Sequence, residues 1–179
     1  MKATGQRYFY DTEFWEAGAK RPIYLLSIGI VAEDGREYYA ANADVPWRGI
    51  ETDANTQWLR ENVIPHLGPV SERRTPGQIK QDLLQFFSPM PSELWAYFAD
   101  YDHVVLSQIF GRMVDLPKGM PMFTHDLKQE MERRGIKREW LPVQEGTEHN
   151  ALDDARWLAL SARLVLGADV DLDGYLERN

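Results

Sequence analysis

The first 42 residues constrain the fold more than any other part of this sequence, because three strand-like segments follow one another there. Residues 7–13 are rich in aromatic side chains, and apolar positions alternate through much of residues 23–33. The dipeptide Asp34-Gly35 is a hairpin turn signal, so residues 36–42 are predicted to return as a third strand. The chain therefore opens with an antiparallel meander.

Helices and strands alternate in the rest of the sequence. Apolar spacing and capping signals predict helices over residues 52–67, 76–87, 100–113, 126–135 and 151–167. Short strands are predicted at residues 94–99 and 122–124. Asp100, Asp126 and Asn150 are each placed to cap a helix N-terminus. We therefore predict an α/β fold in which helices flank a mixed five-stranded sheet.

The composition is that of an ordinary globular domain. A chain of 179 residues with 44% hydrophobic and 27% charged residues is expected to form a single domain, residues 1–179. The absence of cysteine excludes disulfides, zinc–thiolate sites and cysteine nucleophiles. The sequence starts without the apolar stretch of a signal peptide and holds no run of ~18 apolar residues, so a cytoplasmic location is expected.

The net charge of −8 argues against a protein that coats nucleic acid through a broad basic surface. It leaves room for a nuclease, because divalent cations bound by carboxylates would attract the phosphate. We expect such an enzyme to hold only a few terminal nucleotides.

Asp11 and Glu13 are the first candidate metal ligands. They lie two residues apart at the end of the aromatic strand, so their side chains share one face while that of Thr12 points to the other. Two such carboxylates can share a pair of cations about 3.5–4 Å apart. A surface pair at a strand end is the alternative, although an unpaired carboxylate beside buried aromatics would be costly.

Asp102 is the second candidate position. It follows a buried strand and lies in the first turn of a helix, where Asp100 is the better N-cap. Asp102 would then be free to point into a site at the carboxyl end of that strand. Stabilisation of the helix dipole is the alternative role.

The segment from His149 to Asp154 supplies the third position. Asp154 falls on the sheet-facing side of the last helix and is predicted as a ligand, whereas Asp153 is predicted to fold back on the helix N-terminus. His149 lies in a loop five residues before Asp154, where it could accept the proton of an attacking water.

Taken in order, these three patterns resemble the motifs of the DEDDh 3′–5′ exonucleases. The patterns are Asp11-x-Glu13, Tyr101-Asp102-x-x-x-Leu106 and His149-x-x-x-x-Asp154. The match runs from residue 8 to about residue 166. The resemblance implies an RNase H-like fold, with Asp11, Glu13, Asp102 and Asp154 as ligands of two Mg²⁺ ions and His149 as the general base.

Longer stretches are similar to the actinobacterial polyadenylate-specific 3′-exoribonucleases. They are residues 7–14, 31–40, 94–103 and 149–155. This closer resemblance implies a homodimer that removes nucleotides from the 3′ end of single-stranded RNA and prefers adenylate tails. The expected product is a nucleoside 5′-monophosphate.

Cofactor and substrate contacts follow from the same residues. Ligands that are all oxygen favour Mg²⁺, with Mn²⁺ as a substitute, over zinc. Thr12, Phe14 and Tyr101 flank the acidic residues and are assigned as candidate substrate contacts. Phe14 or Tyr101 could stack on the final bases, with core packing as the alternative role for either.

Two other functions remain open at this point. The chain could be a DNA 3′–5′ exonuclease of the same fold, or a non-catalytic nucleic-acid-binding module. Residues 169–174 resemble the opening of a calcium-binding loop but lack its glutamate and exiting helix, so we interpret them as a solvated tail. The basic residues of one cluster are either a solvated helix face or an approach path for RNA: Lys128, Arg133, Arg134, Lys137 and Arg138.

Overall fold

A five-stranded mixed sheet forms the centre of the protein. A computed structural model describes residues 6–167, so the calcium-loop-like stretch 169–174 lies outside the described residues. The strands are β1 Arg7–Glu16, β2 Ile23–Ala32, β3 Glu37–Ala41, β4 Glu93–Ala96 and β5 His125–Asp126. Their order is β3-β2-β1-β4-β5. The first three strands are antiparallel, and β4 and β5 continue parallel to β1, which confirms the predicted sheet.

Helices cover both faces of this sheet. They are α1 Trp47–Thr52, α2 Gln57–Asn62, α3 Pro76–Phe86, α4 Asp100–Phe110, α5 Leu127–Arg134 and α6 Ala151–Gly167. Apolar residues of α3 and α4 pack on one face, and those of α5 and α6 pack on the other. Within residues 6–167, no helix has the length and apolar character that a membrane crossing requires.

The alternation of β1 decides which helix each of its side chains meets. Tyr8 and Tyr10 belong to the core under α3 and α4, whereas Phe9 belongs to the core under α5 and α6. Because successive side chains of a strand point to opposite faces, Asp11 and Glu13 continue the face of Phe9. The strand thus directs both carboxylates towards α6.

β1 continues well beyond its parallel neighbour. Its pairing with β4 ends at Phe9, opposite Trp95, while β1 itself extends to Glu16. The strand predicted over residues 94–99 stops early because the chain turns at Phe98, whose φ is +61°. In the part of the chain that the structure describes, this edge of β1 therefore has no strand partner after Phe9.

Two further predicted elements differ from the structure. The helix expected over residues 52–67 is divided into α2 and two short 3-10 turns, Ala54–Thr56 and Ile64–His66. Asp53 is extended and caps the first turn, and Pro65 lacks the N–H that a continuous helix needs. The strand expected at residues 122–124 is instead β5, which begins at residue 125.

Asp126, rather than Asp100, organises the start of α4. The N-cap of α4 is Ala99, with no side-chain cap, so the prediction for Asp100 is wrong. The carboxylate of Asp126 accepts the backbone N–H groups of Phe98 and Ala99 just before α4. It also caps α5 as predicted, by accepting two N–H groups of the first turn of that helix. One side chain therefore joins two helix N-termini at the same edge of the sheet.

Candidate active site

Four carboxylates converge where the edge of β1 is uncovered. Asp11 and Glu13 come from β1, Asp102 from α4 and Asp154 from α6. Burial raises the pKa of Asp11 well above its usual value, and repulsion from the other three carboxylates raises it further. Asp11 and Asp154 also line the same pocket, and Asp102 is hydrogen-bonded to Thr12, which lies between Asp11 and Glu13. The structure therefore brings together all four predicted carboxylates from three separate segments.

Asp102 is held by the backbone of β1. One of its carboxylate oxygens accepts the N–H of Thr12 at 2.9 Å and the Thr12 hydroxyl at 2.6 Å. The N–H is available because β4 ends before this position, so the side chain takes the place of a neighbouring strand. Burial raises the pKa of Asp102 to about 6, and the two bonds from Thr12 oppose that rise.

Glu13, Asp154 and His149 form the second half of the site. One ligand atom from each lies within 4.8 Å of the others. Burial, followed by repulsion from Asp154 and Asp102, raises the pKa of Glu13 to about 8. Burial also raises the pKa of Asp154, against the opposing effects of a hydrogen bond from Gln144 and the nearby His149. The carboxylates of Glu13 and Asp154 repel each other when both are ionised, so a bound proton or cation is needed to stabilise them side by side.

Gly29 permits the close approach of α6 to the sheet. Gly29 lies on β2 and pairs with Asp11 of β1, and a Cβ atom at Gly29 would lie 2.3 Å from the backbone of Ala151 and Leu152. The first turn of α6 therefore rests directly on β2, which places Asp154 against the carboxylates of β1. The sequence contained a signal for this contact, since a glycine interrupts an otherwise apolar strand.

The loop before α6 fixes His149 by several local contacts. His149 has a φ of +64°, a left-handed conformation that few non-glycine residues adopt. Its ring meets the edge of the Trp58 ring with centroids 4.7 Å apart. Asn150 caps α6 by accepting the N–H of Leu152, and Asp153 accepts the N–H of Thr147 at 3.0 Å. Asp153 thus holds the loop rather than joining the acidic cluster.

Gln144 is a site residue that the sequence did not reveal. Its side-chain amide donates a hydrogen bond to Asp154. It also lines a pocket of about 210 Å³ together with Asp11, His149 and Asp154. A single glutamine in a loop carries no periodic or motif signal, so only the folded chain identifies it.

The three predicted substrate contacts differ in their surroundings. Phe14 and Tyr101 stack face to face with ring centroids 5.5 Å apart, and Tyr101 is 46% exposed. Phe14 and Tyr101 are the chain neighbours of Glu13 and Asp102, and Phe14 packs against the core under α3 and α4. Thr12 is buried, and its hydroxyl is engaged by Asp102, so the structure gives its side chain a positioning contact instead of an open surface.

The donor set fits hard divalent cations. All four candidate ligands are carboxylates, and oxygen-only sites suit Mg²⁺ or Mn²⁺. Burial first, and then repulsion between the carboxylates, raises the pKa of Asp11 and of Glu13, so both effects oppose ionisation. Bound cations would remove that repulsion, which is the physical reason for such an arrangement.

Comparisons with known proteins identify the family to which the sequence is similar. Residues 6–166 match the family described as 3′-5′ exoribonuclease Rv2179c-like domain. The chain is 42% identical over 168 residues to the 3′-5′ exoribonuclease Rv2179c of Mycobacterium tuberculosis strain ATCC 25618 / H37Rv, covering 91% of this chain and 95% of that protein. The 3′-5′ exoribonuclease MT2234.1 of strain CDC 1551 / Oshkosh gives the same values.

Solved structures share the fold at low sequence identity. S. pombe Pop2p, in its Mg²⁺- and Mn²⁺-bound form, has a TM-score of 0.60 at 15% identity, over 94% of this chain and 84% of Pop2p. E. coli exonuclease I with single-stranded DNA, in a zinc-bound form, has a TM-score of 0.64 at 13% identity, over 98% of this chain and 43% of exonuclease I. The fold is therefore RNase H-like, as the resemblance implied.

Proposed function

Because this chain belongs to the family of Rv2179c-like 3′-5′ exoribonuclease domains and is a nuclease that acts on RNA, we propose that it removes nucleoside 5′-monophosphates one at a time from single-stranded RNA, with adenylate tails preferred. The observation that carries the proposal is the convergence of four carboxylates and one histidine at the uncovered edge of β1. A non-catalytic module would have no need to keep these mutually repelling groups together.

The four carboxylates are proposed as the ligands of two Mg²⁺ ions, for which Mn²⁺ can substitute. When bound, these ions would supply Lewis-acid activation of the attacking water and neutralise charge on the phosphate. Asp102 is oriented for this role by Thr12, and Asp154 by Gln144. Burial raises the pKa of Asp11, and repulsion from the other three carboxylates raises it further.

His149 is proposed as the general base. Its position beside Glu13 and Asp154 places an imidazole nitrogen at the edge of the ligand cluster, where it can take a proton from the attacking water. The two nearby carboxylates would stabilise the imidazolium ion that forms. The hydrolysis then cleaves the P–O3′ bond, leaving a 3′-hydroxyl on the shortened RNA and a 5′-phosphate on the released nucleotide.

Exposed aromatic rings beside the site support a preference for particular bases. Trp58 is 51% exposed where it meets His149, and Tyr101 is exposed where it stacks on Phe14. Terminal bases can stack on such rings, and the base preference of stacking sites follows stacking strength. We propose that adenine is favoured in this way.

The direct test uses purified protein, Mg²⁺ and RNA homopolymers labelled at the 5′ end. Stepwise shortening with release of 5′-monophosphates is expected, and poly(A) should be shortened faster than poly(U) or poly(C). A matched DNA oligomer tests the alternative of a DNA exonuclease. Equal rates on RNA and DNA would contradict the RNA preference, and equal rates on all RNAs would contradict the adenylate preference alone.

The proposal includes a homodimer and a cytoplasmic location, both of which stay predictions. The resemblance to polyadenylate-specific exoribonucleases supports the dimer. Light scattering coupled to gel filtration should give twice the mass of one chain, and the mass of a single chain would contradict it.

A further inference from the structure

Arg138 brings a guanidinium to the pocket beside the carboxylates. This pocket, of about 210 Å³, is lined by Arg138 and Trp157 in addition to Asp11, His149 and Asp154. A cation so close to an acidic cluster would ordinarily form an ion pair with it. Arg138 does not, and its actual contacts explain why.

Two aromatic rings hold the guanidinium of Arg138. It lies over the ring of Trp157 at 4.7 Å from the centroid and over the ring of Tyr97 at 5.4 Å. These two rings meet edge to face, with centroids 5.2 Å apart. A guanidinium at such distances is attracted by the ring electrons and keeps its N–H groups free for another partner.

Trp157 fixes this arrangement relative to the catalytic residues. It lies on α6 one turn after Asp154, is buried, and donates its indole N–H to the carbonyl of Pro142 at 2.9 Å. The same ring therefore anchors the loop between Arg138 and Gln144 and supports the guanidinium. Arg138 is thus held at a set position beside Asp154 although its own side chain is exposed.

The other members of the basic cluster are all paired. Lys128 pairs with Glu132, Arg133 and Arg134 with Glu130, and Lys137 with Glu139. Within residues 6–167, the side chain of Arg138 forms neither an ion pair nor a hydrogen bond. The pairing on α5 makes that face an ordinary charged surface, whereas Arg138 retains its charge for a ligand.

We propose that Arg138 binds the phosphate that becomes the 5′-phosphate of the released nucleotide. The planar guanidinium can donate two parallel hydrogen bonds to a phosphate, and it lies in the pocket that contains the proposed base and ligands. In a protein with a net charge of −8, such a residue gives the phosphate a favourable partner of opposite charge. The inference rests on the proposed function, since it assigns part of the same site. It makes Arg138 a phosphate-binding residue, distinct from the residues that could read the base.

The test compares Arg138→Gln with Arg133→Gln, because each removes one positive charge from a neighbouring exposed position. Binding of adenosine 5′-monophosphate and of adenosine is measured by calorimetry in Mg²⁺. Arg138→Gln should weaken monophosphate binding about 10- to 100-fold, the usual effect of losing hydrogen bonds to a charged group, and leave adenosine binding unchanged. Arg133→Gln should change neither. The loss should be equal for uridine 5′-monophosphate, since a phosphate contact carries no base information.

Two further results test whether Arg138 binds the phosphate. Arg138→Lys keeps the charge but not the planar geometry, so its monophosphate affinity should fall between those of the wild type and Arg138→Gln. Unchanged monophosphate affinity in Arg138→Gln overturns the inference, as does an equal loss of adenosine binding, which would mean that the pocket itself had collapsed. Neither of these binding measurements requires the protein to cleave RNA. If the wild-type protein binds monophosphates but shortens no RNA, the proposed function is rejected, whereas the assignment of Arg138 as the residue that binds the phosphate stands.

Discussion

The two halves of the acidic site are built in different ways. On the side of α4, Asp102 is buried and bonded to both the backbone and the hydroxyl of Thr12. On the side of α6, Asp154 receives its hydrogen bond from the side chain of Gln144, and His149 sits in a loop with left-handed backbone geometry. Asp102 is thus bonded to the sheet, whereas Asp154 and His149 depend on loop contacts.

This difference suits two tasks of a phosphodiesterase, the binding of a cation and the transfer of a proton. A ligand that is bonded to a strand is preorganised and needs no rearrangement when a cation binds. A base in a loop can adjust as substrate enters, at the expense of a less fixed position. We therefore expect changes on the α4 side to affect stability most, and changes on the α6 side to affect turnover most.

The largest effect on turnover is expected for His149→Ala. Removal of a general base should lower kcat about 10²- to 10⁴-fold. Titration with Mn²⁺, followed by electron paramagnetic resonance, should show nearly unchanged metal binding because the four carboxylates remain. His66→Ala is the control, since the contact of His66 with Asn150 uses only its backbone carbonyl. A kcat within threefold of wild type for His149→Ala would remove the assignment.

The metal-free protein should lose stability as the pH rises. The folded pKa of Glu13 is about 8, against 4.5 for the unfolded chain, and that of Asp102 is about 6, against 3.8. Groups whose pKa is raised on folding stabilise the protein below the unfolded value, and this contribution is lost as the pH rises through the folded value. The loss should therefore run from about pH 4 to about pH 8 and amount to a few kcal/mol, allowing for partial solvent screening.

Thermal unfolding in a chelator measures this dependence. Glu13→Gln and Asp102→Asn should each reduce the loss, and Glu13→Gln should do so over the wider pH range because its pKa shift is larger. Added Mg²⁺ should raise the melting temperature most at high pH, where cations replace protons. A melting temperature that rises with pH in the chelator would show that the carboxylates do not repel one another.

Gly29→Ala should damage the α6 side through the backbone alone. The added methyl group would meet the backbone of Ala151, so the start of α6 must shift away from β2. We expect a stability loss of about 1–3 kcal/mol and a fall in kcat of about 10²-fold from the displacement of Asp154. Gly77→Ala is the matched control, because a Cβ atom at that helical position meets nothing within 4 Å. Equal activity of the two variants would contradict the close approach.

The smallest effects are expected for Thr12 and Gln144, the hydrogen-bond donors of Asp102 and Asp154. The change in unfolding free energy on removing each donor compares the two sides of the site directly. Thr12→Val removes the hydroxyl donor of buried Asp102 and should cost about 1–3 kcal/mol of unfolding free energy. Gln144→Ala removes the donor of Asp154 beside a pocket, where water can replace it, and should cost under about 1 kcal/mol. Denaturant unfolding of both variants shows which one loses more unfolding free energy. A larger loss in Gln144→Ala would reverse the comparison.

Local patterns predicted much of the sheet and the chemistry. The hairpin signal Asp34-Gly35 and the alternation of β1 and β2 gave the meander, because turn residues and a period of two act over short distances. The spacing of Asp11 and Glu13 gave their common face for the same reason. The cap of Asp126 on α5 also followed from the sequence, although its second contact with the turn before α4 did not.

Features that depend on contacts between distant segments could not be predicted. The division of the helix predicted over residues 52–67 is a different case, because Asp53 and Pro65 are local signals that the prediction did not use. Neither the bond from Thr12 to Asp102, 90 residues away, nor that from Gln144 to Asp154 leaves a trace in local spacing.

The order of amino acids alone determined the strands of the meander, the amphipathic last helix and the acidic residues available for catalysis, because each depends on neighbours within a few positions. Only the tertiary structure decided that β4 stops short of β1, that Asp102 fills the vacant edge, and that Arg138 rests on Trp157 beside Asp154. Such contacts join segments far apart in the chain, and their geometry is set by packing the sheet between its helices.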